Sequence, residues 1–236
     1  MITSRVNVFS NRWVRTFLET RNADQTELEA RFIHSFVEPG SRVLDLACGY
    51  GRHAAALSSL GIDVVGADID ARMLEHARQS CPVVQADMRR LPFRNSSFAA
   101  VTIMWQSFGY FRGGENLAVL SDLRRMVRPG GVLILDLYNR EYFEVRSKER
   151  SFVRAGTAVK EAIELEGDRL RVHLNYDDGA DSEEFEWQIY SPRTLHDLAT
   201  AAGWTLIGAH REFDLSKPPD PRHPMVQYVL SRATNP

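Results

Sequence analysis

The chain has 236 residues, of which 44% are hydrophobic and 25% charged. That is enough for one large α/β domain with an ordinary core. A formal net charge of -2 excludes a broad polyanion-binding surface, because phosphate backbones are held by clustered lysine and arginine, so no nucleic-acid partner is expected. Two cysteines, Cys48 and Cys81, supply neither a disulfide framework nor metal-ligand spacing, and no metal is expected. The opening MITSRVNVFSNRWVRTF lacks the apolar centre of a signal peptide, and no run of about 18 apolar residues occurs anywhere. The expectation is a soluble, cytoplasmic protein with no membrane partner.

In chain order, residues 23–37 carry Leu28, Phe32, Ile33 and Phe36 at helical spacing, stopped by Pro39-Gly40. RVLDLA (42–47) reads as a buried strand, CGYG as a turn, and the stretch to Leu60 as a helix. DVVGAD (63–68) is a second strand and ARMLEHARQ a second helix. PVVQAD (82–87) and FAAVTIM (98–104) are the third and fourth strands. LAVLSDLRRMV (117–127) is a helix ending at Pro129-Gly130-Gly131, and VLILDLY (132–138) is the fifth strand. Short apolar runs alternating with helices predict a mostly parallel sheet with helices on both faces.

After about residue 150 the period changes from helical to alternating. Residues 151–190 read as antiparallel strands: Leu170, Val172, Leu174 and Tyr176 alternate with Arg169, Arg171, His173 and Asn175. Phe185, Trp187 and Ile189 alternate with Glu186, Gln188 and Tyr190, with an Asp178-Gly179 turn signal between the two runs. SPRTLHDLATAAGW reads as a helix capped by Ser191 and ended by Gly203. WTLIGAHREF and MVQYVLSRA are the last strands, around a Pro-rich loop. The organisation expected is an N-terminal helical lid (1–40), a Rossmann-like core (41–150), an antiparallel β insert covering the substrate (151–190) and the end of the core (191–236), in a seven-stranded sheet.

Three features point to a ligand. Gly49 and Gly51 let a ligand approach the backbone where a helix start presents free N–H groups. Asp45, just before that turn, suits an ammonium group and repels a pyrophosphate. Asp68 ends the second strand, where a carboxylate can accept both hydroxyls of a ribose. Asp70 fits a helix cap better. Asp87 ends the third strand, where it can accept from an exocyclic amine beside the Met88 N–H. Gly49-x-Gly51-x-x-Ala54 also meets the loose dinucleotide fingerprint, which keeps a nicotinamide-dependent oxidoreductase as an alternative.

Together, VLDLACGYG, VVGADID, QADMRRLPF, FAAVTIMWQSFGYF and RMVRPGGVLILDLYN resemble the class I S-adenosylmethionine-dependent methyltransferases over roughly residues 40–140. Within that class, SFGYF and the strands before the late helix resemble the small-molecule N- and O-methyltransferases. The resemblance implies S-adenosyl-L-methionine as cofactor, with Asp45, Ala47, Gly49 and Gly51 at its methionine part and Asp68 on the ribose. It further implies Ile69 and Met73 beside the adenine, Asp87 and Met88 on its edge, and Met104 and Trp105 beside the sulfonium. Two departures stand out: Ala47 replaces the family's first turn glycine, and Arg12, Trp13, Arg15 and Phe17 replace the Tyr-x-x-Tyr pattern of close relatives.

The expected activity is methyl transfer to a nitrogen or oxygen of a small molecule, mainly by proximity and orientation. A non-methylating S-adenosylmethionine-binding protein is the other alternative. Tyr110 and His173 are the catalytic candidates. Trp13, Trp105, Gln106, Tyr110, Arg171, Asn175 and Tyr190 are the substrate-site candidates, with Gln188 beside them. His53 is expected to cap or face solvent, and Cys48 to be a small residue fitted into the turn. The inserted strands could form a homodimer surface.

Overall fold

The computed structural model describes residues 7–145, 149–179 and 181–234. Its main sheet holds β1 (Arg42–Leu46), β2 (Asp63–Asp68), β3 (Val83–Gln85), β4 (Phe98–Ile103), β5 (Val127–Tyr138), β10 (Thr205–His210) and β11 (Met225–Ser231), in the order β10-β11-β5-β4-β1-β2-β3. β11 runs antiparallel to both neighbours and all other pairs in β1–β5 are parallel. A second sheet of four antiparallel strands, β6 (Glu149–Arg154), β7 (Thr157–Glu166), β8 (Arg169–Tyr176) and β9 (Asp181–Gln188), stands beside it.

The parallel strands are buried on both faces, which is why they read as continuous apolar runs rather than alternating ones. One face packs Leu44, Leu46, Val101, Ile103, Leu133 and Leu135 against α5 (Glu115–Met126) and α7 (Pro192–Ala201). The other packs Val43, Ala100, Ile134 and Val229 against α2 (Ala23–His34) and α3 (Arg52–Ser59). Helix starts follow their caps. Asn22 accepts from the Asp24 N–H at 2.9 Å at the start of α2. Asp70 does so from Arg72 at the start of α4 (Ala71–Ala77). Ser191 and Thr194 form a reciprocal capping box on α7.

Two elements differ from the sequence reading. β5 begins at Val127, five residues early, because Val127 pairs with Phe98 before a register shift. Gly131 makes this possible: a Cβ there would sit 2.4 Å from the Ala99 carbonyl oxygen. The alternation expected through residue 190 ends at Gln188, and Ile189 and Tyr190 are both buried.

The segment before α2 is short and irregular. α1 (Asn11–Trp13) runs into a π turn over Val14–Leu18, closed by the Glu19 N–H donating to the Val14 carbonyl at 3.0 Å. It bridges the two sheets. The Asn7 N–H donates to the Glu184 carbonyl of β9, Arg12 pairs with Asp177 and Asp181, and Arg72 of α4 donates to the Phe9 carbonyl and the Asn11 side chain. No helix among the described residues is long and apolar enough to cross a membrane.

Candidate active site

A single cavity of about 1200 Å³ runs from the carboxyl ends of β1, β2 and β4, under the N-terminal segment, to the inner face of the four-stranded sheet. Pockets for one drug-sized ligand span roughly 300–1,000 Å³, so this one has room for two molecules side by side.

The first half of the cavity is built from backbone. The turn after β1 holds Ala47 at φ 59°, Gly49 at 54° and Gly51 at 77°. Gly51 begins α3, and a Cβ there would lie 2.9 Å from the Ala77 Cα, so α3 and α4 meet at this point only because the side chain is absent. Asp68 locks the turn: its Oδ2 accepts from the Gly49 N–H and its Oδ1 from the Asp70 N–H, both at 2.9 Å. Burial raises the Asp68 pKa above the usual carboxylate range. Next to it Ile69 is 66% exposed and faces the cavity with Met73, Met88 and Asp87. Such an exposed aliphatic side chain in a slot suits the face of a planar base. The Asp87 carboxylate is gripped by Arg89, whose hydrogen bonds hold its pKa down.

Asp45 is buried beneath the turn and does not line the cavity. Its Oδ1 accepts from Thr102 at 3.2 Å and its Oδ2 has no partner. An unpartnered buried carboxylate oxygen beneath a glycine turn fits a cationic group, and the same observation argues against a pyrophosphate.

Around this turn stands an ionic cluster that sequence reasoning passed over. Glu29 of α2 is buried, receives Arg52, and lies 2.7 Å from His53 Nε2. Burial alone would raise its pKa, yet the hydrogen bonds and charges of His53 and Arg52 bring it down to about 2. His53 is therefore buried and paired, not solvent-facing. The Arg21 guanidinium lies 4.0 Å from the Trp105 ring centroid. Arg21 Nε and Arg52 Nη2 are buried with no acceptor, and both residues line the cavity. Two unpartnered guanidinium donors together fit a carboxylate. Arg21 and Glu29 are not foreshadowed by the sequence, since both are distant from the glycine turn, whereas Arg52 directly follows Gly51.

The second half of the cavity is built from side chains. Phe9, Trp13, Phe17, Trp105, Tyr110, Tyr138, Phe143, Phe152, Phe185 and Trp187 form one aromatic wall. Trp13 contacts Trp105 at 5.4 Å, and Phe185 stacks on Trp187 at 5.8 Å. Burial pushes the Tyr110 phenol up to about 12, against the opposing effect of its Trp187 and Ser107 neighbours. Among the polar groups here, Glu161 is held by two N–H groups of Arg150 at 2.8 and 2.9 Å.

The expected residues divide cleanly. Ala47, Gly49, Asp68, Ile69, Met73, Asp87, Met88, Met104, Trp105, Trp13, Gln106 and Tyr110 line the cavity. Gly51 lies behind the turn, packed on α4. Arg171, His173 and Asn175 do not line the cavity, which corrects the assignment of Arg171 and Asn175 to the substrate site and of His173 to catalysis. In β8 the apolar residues Val172 and Leu174 face inward, and the alternation of the strand turns the three polar ones to the opposite face. There Arg171 and Arg169 pair with Glu186. Tyr190 and Gln188 also lie outside the lining; Tyr190 is buried against Phe108 and donates to Gln188. Cys48 is buried and its thiol pKa is pushed up by burial, as suits a packing residue.

The fold and site define a donor-binding Rossmann-like enzyme, and comparison with known proteins agrees. Residues 43–131 match a family model described as a methyltransferase domain. A demethylmenaquinone methyltransferase of Parafrankia sp. (strain EAN1pec) is 32% identical over 195 residues, 72% of each chain. A protein of the same name from Beutenbergia cavernae is 43% identical over 100 residues, 41% of this chain and 40% of that one. The chain thus spans about two fifths of the length of the curated relatives it matches at 41–43% identity. Among solved structures, the CcbJ methyltransferase from Streptomyces caelestis superposes with a TM-score of 0.79 at 19% identity, covering 92% of this chain and 95% of that one, a likeness of fold.

The chain belongs to the class I S-adenosylmethionine-dependent methyltransferases. The dinucleotide alternative gives way to this membership.

Proposed function

We propose that the protein transfers a methyl group from S-adenosylmethionine to a nitrogen or oxygen atom of a small acceptor with an aromatic or apolar body. The observation that carries this reading is the continuity of the cavity: a glycine turn with strand-end acids opens directly onto an aromatic wall, with no intervening partition. When bound, S-adenosylmethionine supplies a methyl group already activated on a sulfonium.

The protein's own part is to bind, align and exclude water. Asp68 would hold the ribose, and Ile69 and Met88 the adenine. Arg21 and Arg52, with their unpartnered donors, would hold the carboxylate. The rings of the aromatic wall fix the acceptor body. Trp13 and Phe17, on the segment that bridges the two sheets, cover the space between donor and acceptor. The curated relatives are named for demethylmenaquinone, and a C-methyl acceptor is the competing reading.

Calorimetry tests the donor assignment. S-adenosylhomocysteine should bind to the wild type, and Asp68→Ala should weaken it by about tenfold or more, the loss of hydrogen bonds to a charged group. Arg21→Ala should weaken S-adenosylhomocysteine but leave 5′-methylthioadenosine, which lacks the amino-acid part, unchanged. Binding of NADH in place of the adenosyl ligands would overturn the proposal. A screen of amines, phenols and quinols with radiolabelled donor then separates nitrogen, oxygen and carbon acceptors.

A further inference from the structure

Asp136 stands where the two halves of the cavity meet. It lies in β5, in the inward row Val132, Ile134, Asp136, Tyr138, as a carboxyl among apolar residues. It is 3% exposed and lines the cavity. Its Oδ2 accepts from the Trp105 N–H at 3.1 Å and its Oδ1 from Gln227 Nε2 at 2.7 Å. A carboxylate has about four lone-pair positions, so each oxygen keeps capacity for another donor.

The loop after β4 is held in a costly conformation against this group. Trp105 and Gln106 have φ of 53° and 62°, two consecutive side-chain-bearing residues in the left-handed region. The Gln106 N–H donates to the Asp136 carbonyl at 2.9 Å, and the Gln106 side chain accepts from the Tyr138 N–H. Strain of this kind persists only where surrounding contacts over-determine it. Here it brings Trp105 and Asp136 to one point on the cavity wall.

The other carboxyls at the cavity are occupied. Glu29 is held by His53 and Arg52, Glu161 by Arg150, Asp87 by Arg89, Asp70 by Arg72, and Asp68 by two backbone amides on the donor side. No ion pair among the described residues involves Asp136. The charged groups that face it are Glu29 of α2, Arg52 of α3 and Arg21, all acting over a longer range, while its β4-side and β11 partners, Trp105 and Gln227, are neutral.

We infer that Asp136 is the proton acceptor for the methyl-accepting group, and that the acceptor therefore presents an N–H or O–H to this carboxylate from the aromatic side of the cavity. This rests on the methyltransferase reading above. As the acceptor's nitrogen or oxygen forms its bond to the methyl carbon, the carbon–sulfur bond breaks and its electron pair remains on sulfur. The acceptor's proton passes to Asp136, which later returns it to solvent. Burial pushes the Asp136 carboxyl up to about 7, where a general base works best near neutral pH.

The test uses wild type and Asp136→Asn with S-adenosylhomocysteine bound, and benzylamine, phenol and toluene as probes. In soaked crystals the nitrogen or hydroxyl of the first two should lie about 3 Å from an Asp136 oxygen. By calorimetry Asp136→Asn should lose at least tenfold in benzylamine affinity at pH 8 and leave toluene unchanged. Infrared spectra of the wild type should show a protonated-carboxyl band titrating between pH 6 and 8, absent in the variant. The wild-type crystal soak stands by itself should the variant fold poorly.

Equal probe affinities in both proteins, heteroatoms seated elsewhere such as on Glu161, absence of the probes from this end of the cavity, or absence of the band would overturn the inference. Failure of S-adenosylhomocysteine to bind the wild type would instead overturn the reading beneath it.

Discussion

The donor half and the acceptor half of the cavity are made in different ways. The frame of the donor half comes from one continuous stretch, residues 46–105, in which backbone turns and strand-end acids do the positioning, joined by Arg21 and Glu29 from the segment before it. The acceptor half gathers rings from four separate segments: Phe9 to Phe17, Trp105 to Tyr110, Tyr138 to Phe143, and Phe152 to Trp187. A site made of backbone geometry is tied to one order of elements and suits an invariant ligand. A site made of converging side chains on an inserted sheet can change its shape by substitution without disturbing the sheet that carries the donor.

The sharpest way to break that comparison is Phe185→Ala. Phe185 is 1% exposed and stacks on Phe9 and Trp187. Truncation should cost about 3–5 kcal/mol of stability, as for other buried phenylalanines. S-adenosylhomocysteine affinity, measured well below the melting temperature, should change less than threefold. A tenfold loss would show that the halves are not separable.

Acid titration probes the junction. Glu29 is held at about 2 against an ordinary 4.5. Between these values the folded state binds fewer protons than the unfolded one, so stability present above pH 4.5 is lost as the pH falls toward 2. The loss is on the order of 3 kcal/mol. Unfolding free energies from urea titrations should fall by about that much more for the wild type than for Glu29→Gln between pH 6 and 2.5. Equal falls would remove Glu29 from the account.

The smallest effect sharpens the donor side. Ala47 occupies a left-handed conformation at φ 59°, which costs a side-chain-bearing residue about 1–2 kcal/mol. Ala47→Gly relieves that strain but gives the unfolded chain more freedom. A net gain of about 0.5–1 kcal/mol in chemical denaturation is expected, with donor affinity unchanged.

The donor half was legible because its signals are local. VLDLACGYG and VVGADID contain a strand, a turn and an acid within a few residues of each other. The same signal was present at LILDLY, where Asp136 interrupts an apolar strand as Asp45 does in VLDLA. It passed unread because it lies beyond the glycine turn and its partners, Trp105 and Gln227, come from the loop after β4 and from β11. The ionic cluster of Glu29, Arg52 and His53 was hidden for a similar reason: α2 and α3 are adjacent in space, but nothing in their sequences names the partner.

For the inserted strands, the sequence determined that they alternate, since a half-buried strand must place every second side chain on one face. It did not determine what each face meets. The reading gave the substrate to the polar face with Arg171, His173 and Asn175, and the structure turns that face away, leaving Val172, Leu174, Phe185 and Trp187 toward the cavity. Order, period and turn chemistry are properties of a few neighbouring residues and are written in the chain. The direction in which a sheet presents its faces depends on how it docks on the core, and only the tertiary structure decides that.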